Sequence, residues 1–185
     1  MPHPLDKFQY CPVCGSPHFD INNFKSKKCH DCGFTYYANP CSATAAFILR
    51  PGSDGREELL VVRRAKNPAK GTLDLPGGFC DMQETVEEGM QREIKEETGL
   101  DITDMEYLFS SPNEYLYSGM YVHTLDMDFL VRVPRDADVR AADDAAEALW
   151  IPVDEVNPDD FGLTSIRNAV IRFRNYSAGR DSFTL

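Results

Sequence analysis

The chain has 185 residues, and its 30 acidic side chains outnumber its 19 lysines and arginines, which gives a formal net charge of −11. This negative excess argues against a broad nucleic-acid-binding surface. With 42% hydrophobic and 26% charged residues, the composition is that of a globular protein and excludes intrinsic disorder. No apolar window approaches the roughly 18–20 residues of a membrane-spanning helix, and no secretory signal opens the sequence. We therefore expect a cytoplasmic protein that does not enter a membrane.

Four of the six cysteines form two Cys-x-x-Cys pairs, Cys11 with Cys14 and Cys29 with Cys32, with fourteen residues between the pairs. Each pair can form a tight turn that directs two thiolates at one point, and two such turns complete the tetrahedral S4 shell of structural zinc. We predict a zinc ribbon over residues 1–39, with short strands near residues 19–24 and 34–37. Two disulfides or four free thiols are the alternative, which this spacing disfavours.

A small basic cluster lies inside the predicted ribbon and consists of Lys25, Lys27 and Lys28. A nucleic-acid-binding surface is one interpretation of it. Three lysines in a chain of this net charge favour instead a solvated hairpin tip. His30 adjoins Cys29 but does not fit the cysteine repeat, so we expect its side chain to be exposed.

Residues 40–185 are predicted to form a second domain, because Asn39-Pro40 ends the ribbon pattern and an ordinary mixed composition follows. Residues 43–49 and 58–63 predict two buried strands that pair as a hairpin. Alternating apolar positions over residues 125–133 predict a half-buried strand. Further strands are predicted over residues 107–110, 115–117 and 149–153, and a closing helix over residues 164–174. Strands mixed with a few helices imply a sheet covered by helices.

One helix in this domain is framed by strong local signals. Thr85 and Glu88 form a capping box, and Gly99 lies where a helix should end, so a helix of about 13 residues is predicted between them. Its apolar residues recur at every fourth position and form the stripe expected to pack on the sheet, namely Val86, Met90 and Ile94.

The second half of the same helix carries three carboxylates, Glu93, Glu96 and Glu97. Like charges one turn apart repel each other. A bound Mg²⁺ would make the arrangement favourable, because this cation takes oxygen ligands and is usually shared with substrate phosphates. Arg92 can hold a carboxylate in place by a charge-assisted hydrogen bond. The alternative is an acidic helix that faces solvent.

The whole segment resembles the Nudix box, a motif of 23 residues whose defined positions are all filled between Gly78 and Leu100. The positions that carry the resemblance are Gly78, Glu84, Arg92-Glu93, Ile94, Glu96-Glu97, Gly99 and Leu100. Nudix proteins are typically Mg²⁺- or Mn²⁺-dependent hydrolases built on an α/β/α sandwich with a mixed sheet. The resemblance therefore implies this fold for residues 40–185 and hydrolysis of a diphosphate linked to a nucleoside.

The resemblance also implies which residues hold the catalytic cation. Glu93 and Glu97 correspond to the principal ligands, Glu96 to an additional ligand, and the Gly77 carbonyl to a further one. The implied mechanism is attack of a metal-activated water on one phosphorus.

Other site residues follow from the same resemblance. Arg92 and Glu84 correspond to residues that orient the metal ligands. A later carboxylate often acts as base or extra ligand in this family; Glu147 is the candidate, and Asp144 and Glu114 are the alternatives.

A zinc ribbon in front of a Nudix domain is similar to the NADH pyrophosphatase branch of the family, which also acts on NAD-capped RNA. That branch carries Ser-Gln-Pro-Trp-Pro-Phe-Pro-x-Ser about ten residues beyond the box. Residues 110–118 retain both serines, the first proline and an aromatic residue, Tyr115, and lack the other positions. A distant relative with altered specificity is therefore expected. The candidate substrates are ADP-ribose, NAD(H), another nucleotide sugar and a nucleoside triphosphate.

The competing hypothesis is a catalytically silent Nudix module that senses a ligand, with the ribbon contacting a protein or RNA partner. The intact Glu93, Glu96 and Glu97 favour the hydrolase. We expect a nucleotide-type small molecule as the partner. The net charge disfavours nucleic acid, although NAD-capped RNA stays a candidate through the resemblance, and a homodimer is compatible with this interpretation.

Overall fold

The computed structural model describes residues 2–142 and 145–179. The chain divides into two compact units. The first contains Met1–Cys41 together with Glu114–Thr124, and the second contains Ser42–Asn113 and Leu125–Leu185. The domain boundaries given above, 1–39 and 40–185, stay a prediction.

The first unit contains a three-stranded antiparallel sheet in the order β1-β2-β3. The strands are β1 (Phe19–Asn23), β2 (Ser26–Cys29) and β3 (Thr35–Tyr37). Two of them were predicted, and β2 lies between them. The small core of this unit consists of Cys11, Phe19 and Cys29, against which Phe8 and Phe34 pack.

One residue of the predicted basic cluster is not solvated. Lys27 is only 8% exposed. Its Nζ donates a hydrogen bond to the carbonyl of Phe8 at 2.6 Å and lies 5.3 Å from the centroid of the Phe19 ring. The prediction of a solvated hairpin tip is therefore wrong for Lys27, whose aliphatic stem belongs to the small core. The side chain of His30 is exposed, as predicted, and its Nε2 lies 3.0 Å from Oδ2 of Asp20.

The larger sheet is mixed and has six strands. In chain order they are β4 (Cys41–Pro51), β5 (Glu57–Arg64), β6 (Leu73–Asp74), β7 (Glu106–Tyr117), β8 (Met120–Arg132) and β9 (Ala145–Pro152). The spatial order is β6-β5-β4-β8-β7, and β9 pairs with β5. The predicted hairpin is confirmed, because β4 and β5 run antiparallel with Leu49 opposite Leu59.

Side chains of β4 alternate between two separate cores, as the pleat of a strand requires. Phe47 and Leu49 belong to one core, and Ala46 and Ile48 belong to the other. Five consecutive residues of this strand are almost completely buried, namely Ala45 to Leu49. Both faces of the sheet are therefore covered.

Each core is closed by one helix. Helix α1 (Val86–Thr98) contributes Met90 and Ile94 to the core of Ile48. Helix α2 (Thr164–Ser177) contributes Phe173 to the other core, where its ring stacks on Phe47 with centroids 4.2 Å apart. This arrangement confirms the predicted α/β/α sandwich. None of the helices in the described residues is long and apolar enough to cross a membrane.

The strand β7 corrects one prediction. Two short strands were expected over residues 107–110 and 115–117, but a single strand runs through Pro112. Because β7 lies at the end of the strand order, it is an edge strand, which is where sheets tolerate a proline. A two-residue turn at Ser118 and Gly119, both with positive φ, connects it directly to β8.

The strand β8 corrects another prediction. It starts at Met120, and over residues 124–128 its acidic residues are enclosed, whereas Leu125 is 41% exposed. Asp126 is 8% exposed and Asp128 is 1% exposed.

Candidate functional site

Helix α1 has the boundaries that its sequence predicts. The hydroxyl of Thr85 accepts a hydrogen bond from the Glu88 N–H, and the Glu88 carboxylate accepts one from the Thr85 N–H. At the other end, Gly99 adopts a left-handed conformation and its N–H donates to the carbonyl of Lys95. These two caps fix the register of the helix and hence the positions of its glutamates.

The loop before α1 brings main chain close to both β4 and the glutamates. The N–H of Thr44 donates to the carbonyl of Gly78 at 2.8 Å. Gly77 has φ +150°, and a Cβ at this position would lie 2.1 Å from the Thr44 carbonyl oxygen. A Cβ on Gly78 would lie 2.6 Å from Oε1 of Glu93. Only glycine allows this approach at both positions.

Arg92 gathers the carboxylates of the box. Its guanidinium contacts both oxygens of Glu84, at 2.9 and 3.0 Å. It also donates to Oε1 of Glu93 at 2.8 Å and to Oε2 of Glu96 at 3.3 Å. A further hydrogen bond of 2.9 Å reaches the carbonyl of Phe79. One planar group with five donors therefore orients three acidic side chains.

Glu84 is fixed from two sides. Its Oε2 accepts the N–H of Asp81 at 2.8 Å in addition to the contacts with Arg92. The hydrogen bond from Arg92, followed by that from Asp81, holds the pKa of Glu84 below its ordinary value. This residue is therefore a fixed anion that holds Arg92 in place, as the resemblance implies for an orienting partner.

Glu97 is held by the main chain instead. It is only 8% exposed, and its Oε2 accepts the N–H of Gly77 at 3.1 Å. This contact uses the N–H of Gly77, whereas the predicted metal ligand is its carbonyl oxygen. Burial is also the main influence on Glu93, whose pKa it raises above the usual range in spite of Arg92. Desolvated carboxylates of this kind favour a bound cation, because it compensates the charge that water no longer solvates.

The chemistry of this donor set fits a hard divalent cation, since it consists of carboxylate oxygens beside a close-approaching main chain. The glutamate oxygens are nevertheless not gathered around one point in the described structure. Among the described residues, the cysteine cluster is the group of potential ligands whose atoms all lie within 4.8 Å of one another. A cation would thus replace some of the hydrogen bonds that Arg92 and Gly77 make to the glutamates.

The later carboxylates lie in different places. Glu147 is on β9, is half exposed, and accepts a hydrogen bond of 3.0 Å from Arg63 of β5. Glu114 belongs to the first unit, where its Oε2 lies 3.5 Å from Nδ1 of His123. Asp144 is outside the described residues. The structure therefore brings the box residues together, whereas Glu147 is paired with Arg63 on the neighbouring strand.

Three buried acidic residues were not anticipated, Asp74, Asp126 and Asp128. Asp74 forms an ion pair with Arg64 and accepts the N–H of Leu75 at 2.9 Å. Within the described residues, Oδ2 of Asp128 is buried without a hydrogen-bond partner. Burial, and secondarily Asp126, raises the pKa of Asp128 well above its ordinary value. For Asp126 and Asp128, the sequence signal of burial was their position among the apolar residues of one predicted strand.

The cysteine cluster has the dimensions of a metal site. The sulfur atoms of Cys11 and Cys32 are 3.7 Å apart, and those of Cys14 and Cys29 are 3.6 Å apart. Tetrahedral zinc with Zn–S bonds of about 2.3 Å places its sulfurs about 3.8 Å apart. A disulfide would need about 2.05 Å, and these four cysteines are free. The cluster can hold a metal ion, and the disulfide alternative is excluded.

The main chain forms the same hydrogen bond at both Cys-x-x-Cys turns. The N–H of Gly15 donates to the carbonyl of Cys11 at 2.9 Å, and that of Gly33 donates to Cys29 at 3.0 Å. Main-chain hydrogen bonds, above all from the N–H of Cys32, lower the pKa of Cys29 to about 6. The thiolate, which is the form that binds metal, is therefore favoured at Cys29, whereas the pKa of Cys14 is raised, chiefly by the neighbouring thiol of Cys32, and the pKa of Cys32 is raised by burial.

Comparison with known proteins agrees with this geometry. The chain is 31% identical over 144 residues to the ADP-ribose pyrophosphatase of Methanocaldococcus jannaschii, a match that covers 77% of this chain and 79% of the relative. It is 27% identical over 148 residues to the NAD-capped RNA hydrolase NudC of Deinococcus radiodurans, covering 80% of this chain and 50% of the relative. The chain thus spans about half the length of the NudC proteins it matches.

The fold is shared with solved structures. The Nudix hydrolase from Nitrosomonas europaea superimposes with a TM-score of 0.66 at 20% identity, over 96% of this chain and 97% of that one. The family model described as "NUDIX domain" matches residues 40–171, and hydrolases of this family require a divalent metal. With the box residues arranged around Arg92 and a family match over most of its length, this chain belongs to the Nudix family.

Proposed function

We propose that this protein is a Nudix pyrophosphohydrolase that cleaves the diphosphate linkage of a nucleoside diphosphate derivative with a metal-activated water. The observation that carries the proposal is the set of contacts made by Arg92, which orients Glu84, Glu93 and Glu96 at once. A solvent-facing acidic helix would not need a buried Glu97 or a glycine, Gly78, whose Cβ would lie 2.6 Å from Oε1 of Glu93.

The roles of the residues follow from their surroundings. Glu93, Glu96 and Glu97 would hold Mg²⁺ or Mn²⁺, and the Gly77 carbonyl would be a further ligand, since the N–H of the same residue lies 3.1 Å from Oε2 of Glu97. A cation in this position neutralises charge on the diphosphate and activates water for attack on phosphorus. Arg92 keeps the glutamates oriented between turnovers, which reduces the reorganisation that the reaction requires.

Glu147 is the proposed base. Its carboxylate lies on β9 and is oriented by Arg63, which fixes one oxygen and leaves half of the side chain exposed. An exposed carboxylate with one free oxygen can accept a proton from an attacking water. Asp144 and Glu114 remain the alternatives for this role.

ADP-ribose is the proposed substrate in preference to NAD(H). Of the two relatives described above, the one of which this chain covers 79% is named an ADP-ribose pyrophosphatase, whereas the chain covers 50% of NudC. The segment over residues 110–118 also lacks most of the positions that mark the NADH pyrophosphatase branch.

Zinc is the proposed metal of the cysteine cluster, because the sulfur separations are those of a tetrahedral S4 site. Such a site has no open position, so its role is structural. A cluster of free thiols is also typical of a reducing compartment, which supports a cytoplasmic location.

The test is a substrate panel with Mg²⁺ and, separately, Mn²⁺, in which products from ADP-ribose, NADH, NAD, other nucleotide sugars and nucleoside triphosphates are identified by chromatography. We expect AMP and ribose 5-phosphate from ADP-ribose. NMNH and AMP from NADH would instead assign the specificity of the NADH pyrophosphatase branch. No product from any compound, with the fold intact, would make the silent sensing module the better interpretation.

Two variants connect the activity to the site. Glu97→Gln should lower kcat by more than about a hundredfold, because it removes a charged metal ligand while keeping the side-chain volume. Glu87→Gln is the matched control, since Glu87 is an exposed glutamate on the same helix. Similar activity of the two variants would contradict the metal assignment.

A further inference from the structure

The first unit contains a groove of about 780 Å³, and every residue that lines it belongs to that unit. Its walls come from the N-terminal segment, the turn between β1 and β2, residues 38–40 and the end of the β7–β8 hairpin. The volume is that of a small-molecule site, which is typically about 300–1,000 Å³. None of the box residues takes part in it.

Two aromatic side chains of this groove are exposed to solvent. Phe24, at the β1–β2 turn, is 81% exposed, and Tyr121 of β8 is 47% exposed. Most of the remaining wall is apolar and includes Pro4, Pro40 and Met120. Exposed aromatic side chains that share one groove with further apolar residues form a patch of the kind that marks a binding surface.

The groove also carries cationic groups. Lys7 and Lys25 line it, and neither has a carboxylate within ion-pair distance in the part of the chain that the structure describes. The Nζ of Lys25 lies 5.9 Å from the centroid of the Phe24 ring, so charge and aromatic face are adjacent. Of the two acids in the wall, Glu114 faces His123 at 3.5 Å, and Asp6 is exposed.

The charge of the whole chain does not oppose an anion here. The first unit has four lysines and four acidic residues and is formally neutral. The second unit has the remaining 15 basic and 26 acidic residues, and 15 − 26 accounts for the full −11. The negative excess of the chain therefore arises in the second unit and does not oppose an anion at the first.

We propose that this groove binds a nucleoside 5′-phosphate, with the base stacked on Phe24 and Tyr121 and the phosphate bound by Lys7 and Lys25. A flat base joined to a phosphate matches adjacent aromatic faces and unpaired ammonium groups, and each stacked base contributes substantially to affinity. The ligand is either a free mononucleotide or one nucleotide of a longer chain. This site goes beyond the proposed hydrolysis, because the box residues and Glu147 take no part in it, although the alternative base Glu114 lies in its wall.

The location is tested by photocrosslinking the zinc-loaded full chain with 8-azido-AMP, without added divalent cation, and mapping the labelled peptides. We expect label on the peptides that contain Phe24 or Tyr121. Label confined to the peptides of the box would overturn the proposal.

Affinity separates the roles of the rings and the lysines. Phe24→Ala should weaken both AMP and adenosine by about tenfold in calorimetric titrations. Tyr10→Ala is the matched control, because Tyr10 is a 65% exposed aromatic residue of the same unit that does not line the groove. The double variant Lys7→Gln/Lys25→Gln should weaken AMP and leave adenosine unchanged. Equal affinities of the Phe24 and Tyr10 variants, or no binding of AMP by the wild type, would contradict the proposal.

The source of the ligand is decided by comparing AMP with a 5′-phosphorylated oligoadenylate of six nucleotides. Equal dissociation constants that both depend on Phe24 identify a mononucleotide site. An oligonucleotide that binds at least about tenfold more tightly, with the same dependence, identifies a site for one nucleotide of a chain. Oligonucleotide binding that is insensitive to Phe24 would place the nucleic acid elsewhere and overturn the proposal.

Discussion

The two groups of metal-ligand residues differ in what holds their ligand atoms. The sulfurs of the cysteine cluster already lie at the separations of a tetrahedral site, within 4.8 Å of one another. The glutamates of α1 are held by Arg92 and by the N–H of Gly77, each on a different partner. One group is arranged for a metal by the main chain, and the other is arranged by protein groups that a metal would displace.

The difference is explained by what each site has to do. Thiolates repel each other less when main-chain hydrogen bonds stabilise them, and a closed structural site exchanges nothing with solvent. Three carboxylates in one helix need a cation at all times, and Arg92 supplies one within the protein. A site of this kind can release and rebind its metal together with substrate phosphates.

The largest expected effect concerns the cysteine cluster. Cys32→Ser should lower the zinc content from about one ion per chain to almost none. The first unit should then unfold, because metal binding provides most of the stability of so small a core. Metal analysis and limited proteolysis measure both effects. Cys41→Ser is the control, since Cys41 is an exposed free thiol outside the cluster and should keep the zinc. Zinc in the Cys32 variant equal to that of the control would remove the basis of the comparison.

A smaller effect is expected when Arg92 is replaced by a residue that keeps the positive charge but lacks the planar guanidinium group. Arg92→Lys should lower kcat about 10- to 100-fold, because an ammonium cannot contact Glu84, Glu93 and Glu96 together. The zinc content should not change. Steady-state kinetics with the substrate identified in the panel provide the measurement. An Arg92→Lys enzyme with wild-type kcat would mean that charge alone, and not the fork of donors, organises these glutamates.

Local signals made part of this structure predictable. The box helix was predicted correctly because Thr85, Glu88 and Gly99 specify its ends through contacts of three or four residues. The cysteine cluster was predictable from spacing alone, since each pair forms one turn. In both cases the interactions that matter are close in sequence.

The remaining features depend on partners that are distant in sequence. Buried Lys27 donates a hydrogen bond to the carbonyl of Phe8, which is 19 residues away, and no pattern around Lys27 reveals this partner. Asp128 alternates with apolar residues along β8, and it lies on the face of Leu130, which packs in the same core as Phe173 of α2. The contacts of Arg92 with Glu84 and Phe79 likewise required the loop to fold back on the helix.

Asp128 sharpens the comparison, since Oδ2 of this buried carboxylate has no hydrogen-bond partner among the described residues. Because burial raises its pKa, the folded protein keeps the proton at pH values where the unfolded chain has released it. Its contribution to stability is therefore complete below the unfolded pKa of about 4 and declines as the pH rises towards the folded pKa. Asp126 on the same strand strengthens this effect, and Arg172 of α2 weakens it.

Asp128→Asn removes this titration, so the variant should become more stable than the wild type as the pH rises above about 4, by a few degrees in Tm. Thermal unfolding followed by circular dichroism from pH 4 to pH 8 measures the difference. Asp138→Asn is the control, because Asp138 is exposed. A wild type whose Tm exceeds that of the Asp128→Asn variant increasingly with pH would show that Asp128 is stabilised as an anion.

The smallest effect tests whether the glutamates depend on the start of their helix. Thr85→Ala removes the side-chain half of the capping box and should lower the free energy of unfolding by about 1 kcal/mol. Thr103→Ala, at an exposed position outside the helices and strands, should be neutral. Denaturant titration measures both. Arg92 and Gly77 hold the glutamates of the second half of the helix, so the kcat of the Thr85→Ala variant should stay within about twofold of the wild type. A large loss of kcat at unchanged zinc content would mean that the cap, and not Arg92, sets the geometry of the carboxylates.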